Sequence, residues 1–217
     1  MSKRILLSGF EPFGTFETNP SWDALALAQS EGLLGDHVSI VKIPVTYTDA
    51  FHVFAEAFEA HQPEGAISFG VYGSRLDSAS FKKANDLDGK TNASSCIYIE
   101  SVARNRDNAG KPDNAGVTRE GGVIVADAPE TLAASFPSAE LRHSLKEAGY
   151  DCEISDDAGG YLCNHLFYRG MHAFGARIPY GFVHVPPVVS MNGSLTLQQL
   201  AQAMADMANT LAKHSGS

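Results

Sequence analysis

Apolar residues along this chain fall into two alternating rhythms: short unbroken runs, and longer stretches spaced as on a helix. Residues 4–10 (RILLSGF) form a short apolar run ending in glycine, the pattern of a buried strand. The loop 11–21 ends in Asn19-Pro20, an N-cap residue followed by proline at the first helical position, so 21–30 reads as helix. Residues 38–45 read as strand, 47–61 as a strongly amphipathic helix and 64–70 as a second buried strand. Further on, 138–150 predicts a helix, 152–157 a strand, 163–175 a helix, 180–186 a strand and 196–214 a long closing helix. Strands that alternate with helices predict an α/β architecture with parallel strands and helices on both faces. No repeat or linker divides the chain, so 1–217 is expected to form one domain. One stretch breaks the pattern. Residues 76–94 are polar, poor in large apolar residues and without period, which marks a long insertion or functional loop.

Composition narrows the classes. Hydrophobic residues make up 44% of 217, enough for a real core. The net charge is −9 with no block of Lys or Arg, which argues against a nucleic-acid partner. No apolar run approaches a membrane span, and MSKRILLSGFEPFG reads as a first strand and not as a signal peptide. The three cysteines, Cys96, Cys152 and Cys163, are odd in number and widely spaced, which fits a reducing cytoplasm.

Candidate chemistry centres on GGYLCNHLFYRG, 159–170, where Cys163 follows two glycines at the start of a helical run. A cysteine there is a small buried residue, a ligand or redox partner, or a nucleophile. The first turn of a helix supports the last reading, because its free N–H groups favour a thiolate and can hold an oxyanion. A base must then come from elsewhere in the fold. Of the eight histidines, His184 stands out near the end of a predicted strand, where α/β sites form, although a histidine among apolar residues is commonly a core group. Zinc spacings such as Cys-x-x-Cys or His-Glu-x-x-His are missing, so no metal or cofactor is expected. Cys96 and Cys152 read as packing residues.

Three blocks, SGFEPFGTFETNPSW (8–22), DDAGGYLCNHLFY (156–168) and GFVHVP (181–186), together resemble the pyroglutamyl peptidase I family, cysteine exopeptidases that remove an N-terminal pyroglutamate. The resemblance implies a three-layer αβα sandwich around a twisted, mostly parallel mixed sheet. It also implies a Glu–Cys–His triad, with Cys163 as nucleophile and His184 as general base. Counting on from Arg75 without a gap puts Phe81 at the glutamate position. A better register uses IYIESVARNRDNAGKPDNAG (97–116), which resembles the family segment Ile-x-x-Glu-x-Val-Ala-x-Asn followed by Pro-Asp-Asn. It makes Glu100 the triad carboxylate and requires about nineteen inserted residues, tolerable because closure entropy grows slowly with loop length. Without the family pattern, Glu100 reads as a solvated charge beside a strand.

The same resemblance assigns a substrate pocket. Phe10, Phe13 and Tyr161 match its aromatic positions, Asn19 braces the first loop, and main-chain groups around Val71 and Leu162 meet the lactam. Core packing is the rival role for Phe10 and Phe13, and a plain N-cap that for Asn19. The family commonly has glutamine at Val71 and arginine at Gly110; Lys82, Lys83 or Arg104 are candidates to replace that charge. The expected partners are N-terminally pyroglutamylated peptides, and relatives form dimers and tetramers. Two alternatives stay open: a cysteine amidohydrolase of the same fold with shifted substrate preference, and a non-catalytic binding homologue.

Overall fold

The computed structural model describes residues 2–72 and 95–214. The polar segment expected at 76–94 lies outside them, together with Phe81, Lys82 and Lys83. Strands β1 (Ile5–Phe10), β2 (Val38–Ile43), β3 (Gly65–Val71), β4 (Ile97–Glu100), β7 (Cys152–Ser155) and β8 (Tyr180–Val185) form one six-stranded sheet in the order β2-β1-β3-β8-β4-β7. Strands β2, β1, β3 and β8 run parallel, while β4 is antiparallel to β8 and parallel to β7. Two short strands, β5 (Val102–Arg104) and β6 (Thr131–Ala133), pair separately as an antiparallel ribbon.

Alternation along the central strands sorts their side chains between two apolar layers. Ile5 and Leu7 of β1, Ile67, Phe69 and Val71 of β3, and Val183 and Val185 of β8 face one layer. That layer is closed by α1 (Pro20–Ser30), α3 (Ser138–Glu147) and α5 (Leu197–Lys213). Leu6 and Phe10, Ala66, and Tyr180 and Phe182 face the other, closed by α2 (Ala50–His61) and α4 (Leu162–Phe174). By the same alternation Gly70 and His184 belong to the α4 face. This is the mostly parallel mixed sheet between helical layers that the resemblance implies.

Local chemistry sets the element ends. Asn19 caps α1 through its side chain, which accepts from Ser21 N–H, and Pro20 occupies the first turn. Thr196 and Gln199 close a reciprocal capping box at the start of α5. Strand β2 stops at Ile43 instead of 45, because Pro44 has no N–H for the ladder. The helix expected from 47 starts at Ala50, after the Thr46–Asp49 side-chain turn. Strands β4, β5 and β6 had no predicted counterpart; each has only three or four residues, too few to show a period.

Candidate active site

Strand β8 carries His184 between β3 and β4, opposite Gly70 on one side and Tyr98 on the other. Because β4 runs antiparallel, Glu100 at its end lies one pleat further along, opposite Phe182. Its Oε1 accepts the hydrogen bond of His184 Nδ1 at 2.8 Å. Both groups are buried, Glu100 at 1% exposure and His184 at 6%. The Phe182 ring packs edge-on against the imidazole at 5.0 Å and fixes its plane.

Cys163 is the second residue of α4 and hydrogen-bonds the same imidazole. With Nδ1 committed to Glu100, Nε2 is the ring nitrogen left for the sulfur. Burial works against a charge on His184, but the Cys163 sulfur, followed by Glu100, outweighs it and pushes the pKa from 6.5 up to about 10. The thiol needs space at β3. A Cβ on Gly70 would lie 2.9 Å from Cys163 Sγ and 2.9 Å from Phe182 Cζ, so glycine is what lets the thiol and the sheet approach.

The start of α4 is built to present this thiol. Gly159 turns the chain with φ +76°, Tyr161 is extended, and no side chain caps the helix. The first turn-closing bond runs from His165 N–H to Tyr161 C=O. The N–H groups of Leu162, Cys163 and Asn164 therefore precede the helical ladder. Two motif neighbours anchor the turn. Asn164 accepts from Arg104 N–H and donates to the Arg104 and Arg106 carbonyls, locking α4 to β5. His165 Nδ1 bonds Asp107 at 2.9 Å, and Arg119 pairs with the same carboxylate at 2.7 Å.

A cavity of about 660 Å³ opens over the three groups, and the triad and pocket residues expected from the sequence, Glu100, Cys163, His184, Phe10, Phe13, Asn19, Val71, Tyr161 and Leu162, all border it. Phe10, at the end of β1, also belongs to the core. Phe13 stands on the following loop. Asn19 does more than cap α1: its Nδ2 donates to Glu11 C=O at 2.8 Å, tying that loop to the helix. Tyr161 donates to Pro112 C=O at 2.9 Å; burial first, then Asp113 and Cys163, push its phenol up to about 12, so it stays a donor. Val71 and Leu162 belong to opposite core layers, and both residues border the cavity.

Other lining residues were not named from the sequence. Tyr72 and Tyr98, edge-on at 5.4 Å, line the side beside His184. The cavity also holds a cation: Lys111, next to Gly110. Arg104 is not at the cavity and donates instead to Asp156 C=O. Asn164 and His165 sit in the cysteine block itself, where two polar residues inside an apolar helical run were the available signal. For Lys111 the signal was its position directly after the missing arginine.

The family model for pyroglutamyl peptidase matches residues 3–88 and 85–204, two stretches that meet inside the polar segment. The chain is 32% identical to a pyrrolidone-carboxylate peptidase of Bacillus licheniformis, over 86% of this chain and 79% of that one. It is 29% identical to one of Vibrio parahaemolyticus, over 98% and 94% respectively. The crystal structure of pyroglutamyl peptidase I from Bacillus amyloliquefaciens matches with a TM-score of 0.81 at 30% identity, covering 99% of this chain and 97% of that one. The pyrrolidone carboxyl peptidase of Thermus thermophilus matches with a TM-score of 0.77 at 29% identity, covering 95% and 99%. Matched along nearly its whole length by sequence and by fold, this chain belongs to the pyroglutamyl peptidase family.

Proposed function

We propose that this protein hydrolyses the amide bond after an N-terminal pyroglutamyl residue, with Cys163 as nucleophile, His184 as general base and acid, and Glu100 as the carboxylate that orients His184. The observation that carries this reading is the hydrogen-bonded line Glu100–His184–Cys163 at the floor of one cavity. The raised pKa of His184 favours its imidazolium form beside the Cys163 sulfur at neutral pH. The thiolate attacks the carbonyl carbon, forming the C–S bond and moving the carbonyl electron pair onto oxygen. The N–H groups at the uncapped start of α4 meet that oxyanion. Collapse breaks the C–N bond as His184 Nε2 gives its proton to the leaving amine. Water, deprotonated by His184, then attacks the thioester; the C–S bond breaks and pyroglutamate leaves.

Phe10, Phe13 and Tyr161 are proposed as walls for the flat lactam, with main-chain groups of Val71 and Leu162 as its hydrogen-bond partners. Asn19 holds the loop that carries Phe13. The net charge of −9 suits a peptide substrate better than nucleic acid, and the free thiols suit a cytoplasmic setting. The test is release of aminomethylcoumarin from its pyroglutamyl, prolyl and alanyl derivatives, with and without iodoacetamide. Pyroglutamyl-selective release, abolished by alkylation, is expected; no release in reducing buffer refutes the proposal. The cation in the cavity favours one second reading, an amidohydrolase of the same fold with shifted acyl preference. Faster release from another acyl group than from pyroglutamyl would select it.

A further inference from the structure

The cavity has two ends, and the sheet order decides which part of a peptide meets each. Cys163 Sγ approaches Gly70 of β3, and His184 stands on the next strand, β8. Phe10, at the end of β1, and Val45, just past β2, border the cavity on one side of that pair. Tyr98 of β4 and Ser155 of β7 border it on the other. The carbonyl under attack sits at the thiol, and the leaving nitrogen must reach His184 to take its proton. An acyl group held between Phe10 and Phe13 therefore sends the leaving residue across β8 toward β4.

Two tyrosine rings line that path. Tyr72 N–H donates to Val185 C=O, which extends the pairing of β3 with β8. By alternation Tyr72 then shares the face of Gly70 and His184. Tyr98 is paired directly with His184. The two rings meet at 5.4 Å between centres and 75° between planes. Tyr72 is buried and Tyr98 half-buried, and a side-chain hydrogen bond joins Tyr98 to Cys96, just before β4. The rings are thus in place before substrate arrives, so packing a side chain on them costs little ordering. A short or polar side chain would gain little from them. An aromatic one gains apolar burial and ring contact together.

We propose that Tyr72 and Tyr98 are specificity residues that bind the side chain of the residue after pyroglutamate and favour an aromatic one. This rests on reading the cavity as the peptidase site, and it leaves the acyl pocket to the neutral lactam.

Competing hydrolysis of pyroglutamyl-phenylalanine amide and pyroglutamyl-alanine amide, with chromatography of the released amino-acid amides, reads the preference as a ratio of kcat/KM. The native enzyme should favour phenylalanine about tenfold, the scale of one aromatic contact with its apolar burial. Tyr72→Ala and Tyr98→Ala should each bring the ratio to within about twofold of one. Tyr72→Phe and Tyr98→Phe, which keep the rings, should retain it. The ratio is internal to each variant, so a general loss of activity does not change it. Calorimetry on Cys163→Ala protein needs neither turnover nor a tyrosine variant: the phenylalanine amide should bind with the more negative heat-capacity change. Equal kcat/KM in the native enzyme, a ratio that survives either alanine substitution or is lost in the phenylalanine variants, or equal heat-capacity changes would overturn the proposal. Failure to hydrolyse either amide would instead count against the peptidase reading, and the calorimetric comparison would still decide the subsite.

Discussion

Replacing Glu100 with glutamine keeps the shape of the site and removes one charge. In the native protein Glu100 Oε1 sits 2.8 Å from His184 Nδ1, with both groups buried. At an effective dielectric of about 20, unit charges about 4 Å apart attract by about 4 kcal/mol. Glutamine keeps a neutral hydrogen bond worth about 1 kcal/mol, so about 3 kcal/mol of support for the imidazolium is lost. At about 1.4 kcal/mol per factor of ten, kcat/KM for pyroglutamyl-aminomethylcoumarin should fall about a hundredfold. Glu100 Oε2 has no hydrogen-bond partner among the described residues, so the new amide NH₂ replaces an atom that is already unsatisfied and adds no further loss there. Activity within about threefold of wild type, in a folded variant, would refute the role given to Glu100.

Three further outcomes are expected. Gly70→Ala forces a Cβ to within 2.9 Å of both Cys163 Sγ and Phe182 Cζ, so the thiol must move off His184; alkylation by iodoacetamide and kcat should both fall at least about tenfold. Asn164→Ala strips three hydrogen bonds between α4 and the Arg104–Arg106 backbone and should destabilise the fold by about 2–3 kcal/mol in urea titration; an unchanged midpoint would contradict the anchoring role. The folded pKa of His184 is raised from 6.5 to about 10. The stability it contributes is complete below about pH 6.5, where the unfolded histidine is also charged, and is lost as pH rises through about 10. The activity profile should lose its acid catalyst on the same alkaline limb, which Glu100→Gln should move to lower pH.

The parts of this molecule that could be read in advance are those where one local pattern decides the outcome. β1, β3 and β8 are buried on both faces and appear as unbroken apolar runs; Asn19-Pro20 announces α1 through cap chemistry alone. Cys163 was legible as a helix-start cysteine, but its partnership with His184 and Glu100 depends on β8 lying between β3 and β4, which no local pattern encodes. The family pattern was needed to bring the three together. β5 and β6 escaped because three-residue strands exist only through their pairing and their packing on α4. Lys111 escaped for a similar reason. Only the folded chain sets it over the Tyr161 and Phe13 rings at the cavity.

Acid-quenching the enzyme during turnover of a pyroglutamyl ester or anilide, followed by intact mass and peptide mapping, tests the central claim most directly. The account predicts one pyroglutamyl group bound as a thioester to Cys163, neither to Cys96 nor to Cys152, and absent in Cys163→Ser protein that no longer turns over. Full turnover by the Cys163→Ser variant, or an acyl group mapped to another residue, would contradict it.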